Sequence, residues 1–168
     1  MQAKLLRLFL NVALLCFPVV VLAQSVYTIK EPDPRTGSNT RLDILRSPIP
    51  LDRKYDEFTP EQKEVLRSKY DQLGANDEPP FPEDGMAQIG KAIAKLEAAG
   101  KFRGPLVMTV RIDADGQAQS TAVYKTPDDD FAKSVATVVM KARYKPAQCD
   151  GKPCAMDFPL ILDLGYTQ

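Results

Sequence analysis

The sequence contains no histidine and no tryptophan among its 168 residues. Without histidine, the commonest general base and the commonest nitrogen metal ligand at neutral pH are missing. Histidine-based triads and histidine-containing zinc sites are therefore excluded. Cysteine is scarce as well, with three residues in all, and neither sign of charge is in excess, with 22 basic and 22 acidic side chains. No basic cluster marks a nucleic-acid or anionic-lipid surface. Long apolar runs are absent after the first two dozen residues, and the length suits one domain with appendages.

What is present begins with a targeting pattern. Lys4 and Arg7 precede an apolar run from Leu8 to Leu22, and Val21-Leu22-Ala23 supplies small or apolar residues at the −3 and −1 positions of a cleavage site. The run is interrupted by Asn11 and Pro18 and falls short of the roughly 20 residues of a membrane span. Residues 1–23 are thus read as a cleavable signal peptide for export to the periplasm, with an inner-membrane anchor as the alternative. Cys16 follows Leu14-Leu15, not the small residues of a lipid-attachment site, and would leave with the leader. Losing Lys4 and Arg7 from the balance of 22 basic and 22 acidic residues gives a net charge of −2. The two cysteines that remain, Cys149 and Cys154, read as a disulfide in an exported chain. So short a loop contributes about 2 kcal/mol by closure entropy, and its main effect is to fix a turn.

Residues 24–78 are expected to form an extended arm followed by a helix. Pro32, Pro34, Pro48 and Pro50 punctuate the arm, and Tyr27 to Lys30 suits a short edge strand. Thr59-Pro60-x-Gln62 is a capping box with proline at the first helical position. The apolar face Val65, Leu66, Tyr70 and Leu73 then runs to a terminating Gly74. Asp77 to Asp84 reads as a proline-rich hinge. It leads into residues 79–168, with a helix from about Gly85 to Ala99 ended by Gly100.

From Pro105 the period changes to two. Leu106, Met108, Val110 and Ile112 alternate with Val107, Thr109 and Arg111, and Asp113-Ala114-Asp115-Gly116 turns the chain into a return strand over Gln117 to Lys125. A third helix starts at Asp128 or Asp129, with Phe131, Val135, Val138, Val139 and Ala142 at helical spacing. The last element alternates again, Met156, Phe158, Leu160, Leu162 and Leu164 forming one apolar face. The order implies an α+β fold, a three-stranded antiparallel sheet with helices packed on one face.

No catalytic constellation emerges. Asp113-x-Asp115-Gly116 begins like a calcium loop, but the twelfth position from Asp113 is Tyr124 where a glutamate is required. A hairpin turn accounts for it. Asp128, Asp129 and Asp130 are explained by helix capping. Ser120, Thr121 and Ser134 have no histidine to activate them, and no glycine-rich phosphate loop points to a cofactor. Pro159 is more informative: it lacks the N–H that a central strand needs, so it should sit on an edge or with its nitrogen facing outward. The stretch Met156, Phe158, Pro159, Leu160 and Leu162 is accordingly the candidate partner-binding edge, where an extended peptide adds to the sheet. Protection of the edge against aggregation explains the same proline equally well.

The ordered set of Pro80-Phe81-Pro82, Gly104 before the first strand, Ile112-Asp113-x-Asp115-Gly116, the Phe131 helix, Tyr144-Lys145-Pro146-Ala147, Gly151-Lys152-Pro153 and Phe158-Pro159-Leu160 resembles the TonB C-terminal domain family. The likeness covers roughly Pro79 to Leu164. It implies a periplasmic, non-catalytic domain without cofactor or metal, whose partner is a protein or peptide, an outer-membrane TonB-dependent transporter that offers a short N-terminal segment. An anchored energy transducer, in which residues 8–22 stay in the membrane, and a structural envelope module are the alternatives. Edge strands of small sheets also pair between copies, which admits a homodimer.

Overall fold

The structure, a computed structural model, describes the backbone pairing of residues 26–29 and the whole of residues 49–165. The leader expected at residues 1–23 and most of the proline-punctuated arm lie outside the described residues. Among the described residues, no helix is long and apolar enough to cross a membrane.

The elements follow in the order β1 (Val26–Ile29), a 3-10 turn (Tyr55–Glu57), α1 (Pro60–Arg67), β2 (Phe81–Pro82), α2 (Ala87–Gly100), β3 (Gly104–Ile112), β4 (Ala118–Lys125), α3 (Asp129–Lys141), β5 (Tyr144–Lys145), β6 (Ala147–Cys149), β7 (Lys152–Cys154) and β8 (Met156–Leu164). The expected three-stranded antiparallel sheet is present as β4, β3 and β8, with β3 in the centre. A fourth strand, β1, joins the outer side of β4 in parallel. It is the edge strand anticipated near Tyr27, one residue earlier than expected.

The period-2 pattern places Leu106, Met108, Val110 and Ile112 on one face, where all four are fully buried. That face packs in one core with Ile89 and Ile93 of α2 and with Phe131, Val135 and Val139 of α3. At roughly 1.5–3 kcal/mol for each fully buried aliphatic side chain, this layer is the dominant stabilising term. Its helix is well started, for the Asp128 carboxylate accepts from the Phe131 N–H at 2.8 Å. The hairpin between β3 and β4 turns at Gly116, which takes φ of +76°. A side chain there would also strike the Tyr144 carbonyl, with a Cβ only 2.0 Å from its oxygen. Glycine is therefore required twice over, by the turn and by the close approach of the strand leaving α3, where the Tyr144 N–H bonds the Gly116 carbonyl at 3.0 Å.

Three local expectations are corrected. The capping box at Thr59 and Gln62 is formed, but α1 stops at Arg67 and does not reach Gly74. Arg67 instead reaches forward and donates to the carbonyls of Gly74 and Asp77, while Tyr70 turns into the protein and is 7% exposed. Tertiary contacts of the Arg67 and Tyr70 side chains win over further helix propagation. Second, Gly100 remains inside α2, and Lys101 takes the left-handed conformation that ends it. A Cβ on residue 100 would lie 2.1 Å from the Phe102 ring, so glycine is spent on packing. Third, the Asp77–Asp84 segment is no hinge. Phe81 and Pro82 pair with β5, and Pro79 and Pro80 are fully buried.

The segment before this pairing shares the same core. Tyr55, Phe58 and Leu66 are buried in one cluster with Phe81 and Phe158. Ring centroids lie 5.1 Å apart for Phe58 and Phe81, and 6.1 Å for Phe81 and Phe158. Such pairs add about 0.5–1.5 kcal/mol beyond their buried area.

A candidate protein-interaction edge

The nine residues of β8 pair with β3 in unbroken antiparallel register, from Gly104 opposite Leu164 to Ile112 opposite Met156. Among the described residues, β3 is the sole sheet neighbour of β8. Pro159 is thus on an edge strand, as its missing N–H demands. It lies opposite Thr109, and in an antiparallel pair opposing residues alternate between bonded and non-bonded positions. Proline fits the non-bonded kind, which directs the backbone groups of the odd-numbered residues away from β3 and those of the even-numbered residues toward it.

The neighbours agree with this parity. The Asp157 carbonyl accepts the Tyr70 hydroxyl at 3.0 Å. Just beyond the strand, the Gly165 N–H donates to the Glu97 carboxylate at 2.6 Å, and its carbonyl accepts from Arg103 at 3.1 Å. Between these fixed ends, the Pro159 carbonyl and both backbone groups of Ile161 and Asp163 point outward. The side chains sort differently. Phe158 and Leu160 are each 3% exposed and belong to the core; Pro159 is also buried, whereas Met156, Ile161, Leu162 and Asp163 are half-buried. What the edge offers a partner is chiefly backbone.

The electrostatics around the first half of β8 serve the fold. Arg111 and Asp157 face each other across the β3–β8 pair at 3.2 Å. Burial pushes the Tyr70 phenol well above its ordinary range, with the nearby Asp157 charge acting in the same sense. Tyr70 therefore stays protonated and remains a donor. Burial also raises the Tyr55 phenol to about 12, and the Lys145 ammonium lies 4.4 Å from the centre of its ring. Lys145 pairs with Glu78 at 2.8 Å. A groove of about 410 Å³ beside these residues is lined by Lys54, Arg143 and Lys145 together with Asp56, Glu83 and Asp115, so no net charge selects an ionic ligand.

Cys149 and Cys154 form the expected disulfide. It ties β6 to β7 across a turn in which Asp150 and Gly151 both take positive φ, the Asp-Gly signature of a two-residue hairpin. The hairpin is anchored in turn. Glu78 and Gln148 exchange two backbone hydrogen bonds of 2.9 Å. The Asp77 carboxylate accepts from the N–H groups of Asp150 and Gly74 at 3.0 and 2.9 Å. These bonds, the Asp150 one foremost, hold the Asp77 carboxyl below the usual carboxylate range.

The Asp113 carboxylate is engaged by its own turn, accepting from the N–H groups of Gln117 and Asp115 and from the Gln119 side chain. Among the described residues, no cluster of acidic or cysteine side chains is arranged to hold a metal. Neither Tyr70 nor Asp77 carries a functional signal in the sequence. The first sits in an apolar stripe and the second in an acidic, proline-rich run, and in neither does a local signal disclose a partner many residues away.

No curated protein and no solved structure matches the chain. Residues 95–162 match the family model described as Gram-negative bacterial TonB protein C-terminal, which spans the end of α2, the β3–β4 hairpin, α3, the disulfide hairpin and most of β8. The stretch that builds the central hairpin, the third helix and most of β8 is therefore TonB C-terminal-like, and that family is one of non-catalytic protein-interaction domains.

Proposed function

We propose that this is a TonB-like protein of the periplasm, exported by a cleavable leader at residues 1–23, that binds an extended segment of an outer-membrane transporter or another envelope protein without catalysis. The observation that carries the reading is the open side of β8, where backbone donors and acceptors face away from the sheet within a TonB C-terminal domain. An incoming strand gains affinity from main-chain hydrogen bonds and selectivity from side chains on either side of the edge. Of the residues first proposed for this edge, Met156 and Leu162 have surface to offer, while Phe158, Pro159 and Leu160 shape the strand from within.

The test is titration of the mature, oxidised protein with peptides copied from the N-terminal segments of outer-membrane transporters, followed by calorimetry. Saturable binding is expected. If every such peptide fails to bind, the edge is structural and the protein is an envelope module of another kind. N-terminal sequencing of the exported protein addresses the leader: a start near Gln24 gives a soluble binder, and an intact Met1 or Gln2 start gives an anchored transducer.

A further inference from the structure

The open edge of β8 is short, and the residue that shortens it lies outside the family match. Tyr70 follows α1, is 7% exposed, and donates its hydroxyl to the Asp157 carbonyl at 3.0 Å. That carbonyl is one of the outward-facing acceptors that a partner strand would use. At the other end, Glu97 and Arg103 occupy both backbone groups of Gly165. Between them lie the outward groups of Pro159, Ile161 and Asp163, with Pro159 providing an acceptor alone.

We propose that Tyr70 is a built-in stop that limits a partner strand to the window Pro159–Asp163 and so fixes its register on β8. The inference rests on the edge-pairing reading given above and names the residue that regulates that site. A one-residue slip in a strand pair exchanges the two faces of every side chain, so an edge that is closed at both ends selects register as well as length. A partner that advanced past Pro159 would have to displace the Tyr70 hydroxyl from its acceptor, leaving a buried donor unpaired. The cost of such a group exceeds the gain from one new hydrogen bond. The buried ring stands beside the same acceptor, so Tyr70→Phe removes the hydrogen bond alone and Tyr70→Ala removes the ring as well.

The experiment uses the mature, oxidised full chain and a nested set of extended peptides from a transporter N-terminal segment, lengthened one residue at a time from either end. For the wild type, affinity should rise until the peptide fills the window and then level off in both directions. With Tyr70→Ala, lengthening at the end that passes Pro159 should raise affinity by about threefold to tenfold per added hydrogen bond, and Tyr70→Phe separates the share of the hydroxyl from that of the ring. The end that is released then reports which way the partner runs. Thermal melts of Tyr70→Ala and Tyr70→Phe check that the fold is retained, and amide exchange of the wild-type complex gives an independent reading, with protection gained at Ile161 and Asp163. Wild-type affinity that climbs past Pro159, or a plateau there that persists in Tyr70→Ala, overturns the stop while leaving edge pairing intact. Absence of binding in both proteins overturns edge pairing and the stop together.

Discussion

The two halves of β8 share one backbone geometry and differ in what holds them. From Met156 to Leu160 the strand is fastened, with the Pro159 carbonyl alone left facing outward: Asp157 is bonded by Tyr70 and paired with Arg111, Phe158 is in the aromatic cluster, and Pro159 and Leu160 are buried. From Ile161 to Asp163 the side chains are half-buried and the outward backbone groups face no described strand. Core formation and recognition thus divide one strand between them, because a fully fastened edge cannot pair and a fully open one invites unregistered association.

The sharpest way to break the comparison is to remove the fastening. Phe158→Ala should lower stability by about 3–5 kcal/mol, the usual cost of deleting a buried aromatic ring, read as a shift of the urea midpoint. The contrast in backbone direction is sharpened by moving a proline along the open half. Leu162→Pro removes a bond directed at β3 and leaves a partner unpaired, costing about 1–3 kcal/mol. Ile161→Pro, its neighbour, should unfold close to the wild-type midpoint and lower peptide affinity by about tenfold. Equal destabilisation by the two prolines would contradict the assigned parity.

The disulfide acts at a distance from both halves. Replacing Cys149 and Cys154 by serine should cost about 2 kcal/mol in denaturant unfolding and leave peptide binding to the Ile161–Asp163 half unchanged.

The smallest effect expected is one of pH at the hairpin anchor. The Asp77 carboxyl is held below its ordinary range by the N–H groups of Asp150 and Gly74. A depressed folded value means that its contribution is complete above the unfolded value of about 3.9. It is lost as pH falls through the lower folded value. The Asp150 amide should therefore exchange faster in this acidic window in the wild type. Asp77→Asn should remove that pH step.

Much of the fold was legible because its signals are local. The Asp128 cap with its apolar stripe, the Gly116 turn, the alternating faces of β3 and β8 and the proline that marks an edge each depend on residues a few positions apart. The disulfide was legible from cysteine number once export was assumed. The candidate edge was legible as a segment but the burial of its side chains was not, since alternation shows that Phe158 and Leu160 share a face without showing that this face is sealed.

Two segments depart from their local pattern for one cause. Leu66, Tyr70 and Leu73 continue a helical pattern, yet the chain leaves the helix after Arg67 because Arg67 and Tyr70 find partners elsewhere. The prolines of residues 79–82 look like a hinge, yet they are buried because Phe81 enters the aromatic cluster.

The sequence by itself determined the α+β order, the hairpin, the edge character of β8 and the absence of histidine chemistry, since periodicity, capping and composition are properties of neighbouring residues. Only the tertiary structure decided which backbone groups of that edge are already taken. That depends on a tyrosine 87 positions from its acceptor, and no local pattern encodes so distant a pairing.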